Sequence, residues 1–196
     1  MPRPPLSEAE VQAFRKKAIR VATRLFARDG YAAVTLRAIA EGLGTSHMAP
    51  YRYFENKAEI FAMVRADAFR RFSDVQEHAF ASSDEPFERL FSMRAAYVRF
   101  ALDHPDEYRV MFELGQESEE LYPKLAEESR RSFTVLERAV TLAVEAGVLA
   151  GEPRLVAHLL WAQIHGMVSL HLAGKLTLGF TLDELLAAPP LQVTVR

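Results

Sequence analysis

The chain has 196 residues, of which 49% are hydrophobic and 26% charged, with a formal charge of −2; that is enough apolar sequence for a sizeable core in one or two domains, and it excludes a disordered chain. The absence of cysteine excludes disulfides, zinc fingers and thiol nucleophiles. No run approaches about eighteen consecutive apolar residues, and the start is proline-rich and polar, so a soluble, unsecreted, cytoplasmic protein with no membrane partner is expected.

The charge is unevenly spread. Residues 1–57 carry ten Lys or Arg against five Asp or Glu, a balance of +5, and the remainder carries −7. A basic head on an acidic body suits a protein that holds a polyphosphate with one end and repels it with the other, although charged faces that are merely solvated give the same arithmetic.

Met1 to Leu6 holds Pro2, Pro4 and Pro5 and reads as a disordered arm, with Arg3 its lone basic residue. Ser7-Glu8-Ala9-Glu10 is a capping box, and Val11, Phe14, Ala18, Val21, Ala22, Leu25 and Phe26 line one side of a helix of about twenty residues that ends at Gly30. Its other face bears Arg15, Lys16, Arg20, Arg24 and Arg28, which suits a helix near a phosphate backbone with one or two of them reaching it.

Thr35 caps the next helix, where Leu36, Ile39, Ala40 and Leu43 follow helical spacing, and Gly42 and Gly44 end it. After a turn of about three residues, Ser46 caps a second helix to about Phe54, and Asn56 with Glu59 caps a third. Helices joined so tightly meet at a large angle, so that the second can enter a DNA major groove while the first crosses the backbone. This is a helix-turn-helix reading; a helical hairpin with glycine at its turn also occurs in all-helical proteins that never meet DNA.

The third helix runs from Asn56 to about Ala81 with Ile60, Phe61, Val64, Ala68, Phe69, Phe72 and Val75 on one side, linking a DNA-binding domain, residues 1–57, to a body, residues 58–196. Pro86 opens a helix to Asp103, and His104-Pro105 starts a short one through Tyr108, Met111 and Phe112 to Gly115. Beyond the polar run Gln116 to Glu120, a helix from Leu121 to Gly147 carries Leu125, Phe133, Leu136, Val140 and Val144. The one that begins at Pro153 is apolar on most faces and needs cover on several sides, for which a second subunit is expected. Thr181 and Glu184 cap a last short helix before Pro189-Pro190, after which the chain frays. No strand or repeat is expected. The fold class is all-α, a three-helix head joined to a helical bundle that dimerises.

The register Thr35, Ile39-Ala40, Gly44, Ser46, Tyr51, Tyr53-Phe54 and Lys57, ungapped over 23 residues, resembles the TetR family of bacterial transcription regulators. Phe26, Gly30 and Tyr31 look like the exit of that family's first helix. Two positions depart. Thr45 stands where the family usually places a valine that wedges two helices together, so packing should be kept at some loss of stability, because the hydroxyl must be satisfied. Tyr53 fills a slot often held by histidine, and both side chains donate to phosphates. The segment from Tyr97 to Phe112, with Trp161-Ala-Gln-Ile-His165-Gly166, resembles a C-terminal subtype of the family known for its Trp, His and Gly, the WHG type.

The resemblance implies phosphate contacts from Thr35, Tyr51, Tyr53 and Lys57. Arg37, His47, Met48 and Ala49 are placed to meet base edges: Arg37 a guanine, His47 a purine acceptor, Met48 or Ala49 a thymine methyl. It further implies a homodimer, held through C-terminal helices, on a near-palindromic double-stranded DNA operator with half-sites roughly 34 Å apart. A small-molecule effector acting through the linking helix would make the protein a ligand-responsive repressor.

For that effector, Met93, Tyr97, Phe100, Tyr108, Met111 and Phe112 could wall a pocket with Trp161 and His165, which lie four apart on one helix face. At helical spacing the same residues read as core, with His165 bonded to a backbone carbonyl and Gly166 letting two helices approach; the core reading is preferred. Neither a cofactor nor a metal is expected. An enzyme is not expected either, since nucleophile elbow, phosphate loop, His-Glu-x-x-His and Glu-x-x-His are all missing from the sequence. The alternative is an all-α interaction module that does not bind DNA.

Overall fold

The computed structural model of the protein describes residues 7–112 and 119–188. The arm with Arg3, the helix end expected at Gly115, the start of the polar run at Gln116 and the Pro189-Pro190 end lie outside the described residues. Among those described there are eight α-helices, two single 3₁₀ turns and no strand. The helices are α1 (Glu8–Ala33), α2 (Leu36–Gly42), α3 (Lys57–Phe80), α4 (Pro86–Asp103), α5 (Pro105–Phe112), α6 (Pro123–Glu145), α7 (Pro153–Leu172) and α8 (Leu182–Ala187).

Most helix starts obey local chemistry. The Ser7 hydroxyl accepts from the Glu10 N–H at 3.3 Å while the Glu10 carboxylate accepts from the Ser7 N–H at 2.8 Å, and Thr181 and Glu184 repeat the arrangement at α8. Within α1 the helix is interrupted at Gly30, whose φ of 78° and ψ of 161° no helix accommodates. Pro153 opens α7 as expected, but its cap is Glu152, whose carboxylate accepts from the N–H groups of Arg154 at 3.0 Å and Leu155 at 2.7 Å.

The described residues form two compact units. The first takes in residues 7–70, 106–112 and 119–129, so the packing unit that contains the head also includes the first half of α3, α5 and the start of α6. Ala18, Ala22, Phe26, Ile39, Ala40, Ile60, Phe61 and Val64 are among its buried apolar residues, with the Phe26 and Phe61 rings edge to face at 4.6 Å. The second unit, residues 71–105 and 130–188, packs Ala79, Met93, Val135 and Ala139 into one cluster and Val140, Val156 and Ala157 into another.

One expectation about the helices is corrected, and the exposure of another helix is now visible. Past Phe72 the inward side of α3 passes through Ser73, Gln76 and Ala79, and Val75 is exposed. The stripe follows helical spacing from Phe72 and so admits two polar residues, with Gln76 Nε2 donating to the Met93 carbonyl at 3.3 Å. On α7 only Val156, Ala157, Ile164 and Val168 are buried, and Leu155, Leu159 and Leu170 are exposed. Although Arg154, His158 and His165 interrupt its apolar sequence, α7 is, among the described residues, the one helix long and apolar enough to cross a membrane by length and composition.

Candidate nucleic-acid interface

The head is built around α2 and the chain that leaves it. Thr35 caps α2, its hydroxyl accepting from the Ala38 N–H at 3.1 Å. At the other end the Gly44 N–H bonds the Glu41 carbonyl and the Thr45 N–H bonds the Ala40 carbonyl, both at 3.0 Å, with Gly44 at φ 66°; this left-handed closure reverses the chain in two residues. Gly42 has a different reason to be glycine. A Cβ there would stand 2.6 Å from Cγ1 of Val21, so α2 lies directly against α1.

The second helix expected from Ser46 to Phe54 is not formed as an α-helix. Residues 47–49 make a turn and Pro50–Arg52 a single 3₁₀ turn. Pro50 has no N–H to return to Ser46, so the chain uses shorter closures: Ala49 N–H to Ser46 at 2.9 Å, Arg52 N–H to Ala49 at 3.1 Å and Tyr53 N–H to Pro50 at 2.9 Å. Pro50 and Phe54 are buried and anchor this turn, while His47, Met48 and Tyr51 are exposed, Met48 by 68% and Tyr51 by 56%.

The expected contact residues fall into two groups. Arg37, His47, Met48, Thr35 and Tyr51 are exposed, and Ala49 is half-buried. Arg37 pairs with Glu41 at 3.0 Å across one exposed turn, an interaction of about 0.3–0.5 kcal/mol that a base edge can replace. The other two are engaged within the head. Tyr53 stacks its ring on Phe14 at 3.8 Å with 15° between planes. The Lys57 ammonium donates to the Tyr31 carbonyl at 2.7 Å and lies 4.3 Å from the centre of the Tyr31 ring, so it ties the start of α3 to the exit of α1. Thr45 is exposed and does not wedge the helices; its hydroxyl donates to the Ala40 carbonyl at 3.3 Å.

Arg15, expected on the phosphate-facing side of α1, instead clamps the turn that ends at Tyr53. Its Nη2 donates to the Tyr53 carbonyl at 2.8 Å and lies 3.6 Å from the Glu59 carboxylate, and its guanidinium sits 5.6 Å from the Phe54 ring centre. The sequence carries a signal for this: Arg15 precedes Ala18 by three and Ala22 by seven, on the buried side of the helix. Arg28 pairs with Asp29 at 2.7 Å, and that hydrogen bond raises the guanidinium above its ordinary pKa and lowers the carboxyl below its own.

The expected effector residues are divided between the units. In the first, Tyr108 and Met111 are fully buried and Phe112 packs on Tyr108 at 5.1 Å and on Phe69 at 5.6 Å. Close by, Arg65 is buried on α3, donating to the Met111 carbonyl at 3.2 Å and to the Glu119 carboxylate; burial pushes its guanidinium down, and Glu119 opposes that shift. In the second unit Met93, Tyr97 and Phe100 are buried, and Phe72 packs edge-on against both aromatic rings at 5.2 and 5.3 Å. His165 meets the Tyr97 hydroxyl at 3.1 Å through Nδ1 and the Ser169 hydroxyl at 3.4 Å through Nε2. The Trp161 ring lies 6.1 Å from His165 and 6.0 Å from Phe133. No atom outside its own helix comes within 4 Å of a Cβ built on Gly166, so no helix among the described residues uses that glycine for close approach. Among the described residues no three His, Cys, Asp or Glu side chains cluster as metal ligands do.

Residues 18–64 match the bacterial regulatory proteins of the tetR family, and residues 90–188, half of the chain, match the tetracyclin repressor-like C-terminal domain. The HTH-type transcriptional repressor AcnR of Corynebacterium diphtheriae is 34% identical over 76 residues, which is 38% of this chain and 40% of that repressor's length. A structure of a protein of unknown function from Rhodococcus sp. RHA1 superposes with a TM-score of 0.74 at 25% identity, covering 95% of this chain and 93% of that one. The TetR family transcriptional regulator PfmR of Thermus thermophilus superposes with a TM-score of 0.69 at 22% identity over 86% of this chain and 92% of its own, a likeness of fold.

Proposed function

The chain belongs to the TetR family of DNA-binding transcription regulators, and from that premise we propose that it is a ligand-responsive repressor that binds a near-palindromic operator as a homodimer. The observation that carries the reading is the anchored turn: Pro50 and Phe54 are buried beneath it while His47, Met48 and Tyr51 face solvent, in a head of net charge +5. Arg37, His47, Met48 and Ala49 meet base edges, and Thr35, Tyr51 and Tyr53 meet phosphates that fix the register. Lys57 belongs to the scaffold, since its ammonium already serves two backbone carbonyls of the head.

One turn of this size offers too few contacts for specific affinity, so two heads act together. The exposed leucines of α7 support a second copy as the partner that covers them. Repression is supported by the likeness to AcnR over 76 residues. A small-molecule effector held in the body shifts the dimer to a state that binds the operator less well, by a coupling of about 1–3 kcal/mol. The protein acts in the cytoplasm, on double-stranded DNA, and carries out no catalysis.

Selection of bound fragments from a random double-stranded DNA pool, at one stated salt concentration, tests this. A two-fold symmetric consensus is expected. Tyr51→Phe should weaken all sequences alike, whereas Arg37→Ala and His47→Ala should change the preferred bases. An unchanged preference in both would overturn the base-contact assignment, and no enrichment by a folded dimer freed of any bound ligand would favour an interaction module.

A further inference from the structure

The basic face of α1 is not one surface. Arg15 turns inward to Tyr53, and Arg28 is paired with Asp29. Lys16, Lys17, Arg20 and Arg24 are exposed and have no ion-pair partner among the described residues.

Helical geometry separates these four. Phe14 and Val21 are side chains by which α1 meets the motif, Phe14 stacked on Tyr53 at 3.8 Å and Val21 2.6 Å from where a Gly42 Cβ would stand. Lys17 comes three residues after Phe14 and four before Val21, and Arg24 comes three after Val21, so both rim the face that touches α2 and the turn that ends at Tyr53. At 3.6 residues per turn, Lys17 and Arg24 stand roughly 40° and 60° around the helix from Val21, while Arg20 and Lys16 stand roughly 100° and 140° away. The two rim cations are two turns apart, about 10 Å along the axis.

We propose that Lys17 and Arg24 are phosphate contacts that carry the DNA-binding surface from that turn onto α1, and that Lys16 and Arg20 are not. The partner is the sugar-phosphate backbone flanking the groove that receives His47 and Tyr51, with no base preference of its own. Exposed cations without acidic partners, beside an outward-facing turn and on the edge of the helix that seats it, are what such a flank requires. The inference rests on the DNA-binding reading above.

The test is the dependence of operator affinity on salt for wild type and for Lys17→Gln, Arg24→Gln, Lys16→Gln and Arg20→Gln. Glutamine keeps helix propensity, and an unchanged unfolding midpoint verifies the fold. Lys17→Gln and Arg24→Gln should each lower the slope of log affinity against log salt by about 0.9 for each head on the DNA, equally for all sequences. Lys16→Gln and Arg20→Gln should leave the slope as it is. Wild-type slopes for the rim variants, or equal losses from all four, would overturn the proposal while leaving DNA binding intact. A wild-type protein that binds no duplex at any salt would overturn the DNA-binding reading and this proposal with it.

Discussion

Gly42→Ala offers a sharp test of how α2 is seated. The new methyl would lie 2.6 Å from Val21 Cγ1, against an ordinary carbon contact of about 3.5–4.0 Å, an overlap of roughly 1 Å. Valine in a helix is nearly confined to one rotamer, so the methyl cannot swing aside and α2 must retreat. Overpacking of this kind costs about 1–3 kcal/mol, and replacing a helical glycine by alanine returns at most about 1 kcal/mol. The net expectation is a loss of up to about 2 kcal/mol. In a Val21→Ala background the obstructing atom is gone and the nearest remaining contacts are Leu25 Cδ1 and the residue 21 Cβ, both at 4.0 Å, so the same substitution should there stabilise. Urea unfolding of the four proteins of this cycle, followed by helical circular dichroism, reads both signs; the single tryptophan, Trp161, reports on the other unit and serves as a control. A destabilisation of equal size in both backgrounds would refute the contact as the reason for glycine.

Lys57→Gln should lower stability by about 1–2 kcal/mol, because a charge-assisted bond to the Tyr31 carbonyl is lost, and should leave the salt slope of operator binding unchanged; a reduced slope in a salt titration would return Lys57 to the phosphate. The Glu152 carboxylate is held below its ordinary pKa of 4.5 mainly by the N–H groups of Arg154 and Leu155, so its contribution to α7 is complete above that value and is lost as pH falls through the lowered one. Unfolding midpoints should therefore fall more steeply on acidification in wild type than in Glu152→Gln, and parallel profiles between about pH 3 and 7 would contradict the cap.

Features set by neighbours in sequence are legible without the structure. Ser7, Thr35, Asn56 and Thr181 each satisfy an orphan N–H within three residues, and a cap needs nothing further away. The proline at position 50 is equally visible, and its missing N–H is reason enough to expect a tighter turn in place of a helix. Arg15 and Lys57 are a different case. Their partners lie 38 and 26 residues away, so a basic residue in a basic head reads as a phosphate contact until the chain is folded. The effector residues are legible as apolar positions on helices; which of them share a surface is a tertiary fact, and the buried Ser73 and Gln76 show how a period can be right while its polar members are overlooked.

If an effector changes operator affinity as proposed, α3 is one helix able to carry the difference, because, like α6, it contributes residues to both units and it alone of the two begins directly after the turn that holds Tyr51. The first turn of α3 is already joined to that turn by one guanidinium: Arg15 holds the Tyr53 carbonyl at 2.8 Å and faces Glu59 of α3 at 3.6 Å. Glu59 in turn accepts from the Glu55 N–H at 2.6 Å and its own N–H bonds Asn56 Oδ1 at 2.9 Å, so the chain between Tyr53 and α3 is fixed at both ends. A rotation of α3 that separated Glu59 from Arg15 would release the carbonyl that seats Tyr53, and Tyr51 lies two residues before it. Bonds of this kind contribute about 1 kcal/mol each, and allosteric coupling is typically about 1–3 kcal/mol. Losing one or two of them would therefore suffice for the proposed response, and a path from α3 to the turn that holds Tyr51 needs no more than these few residues.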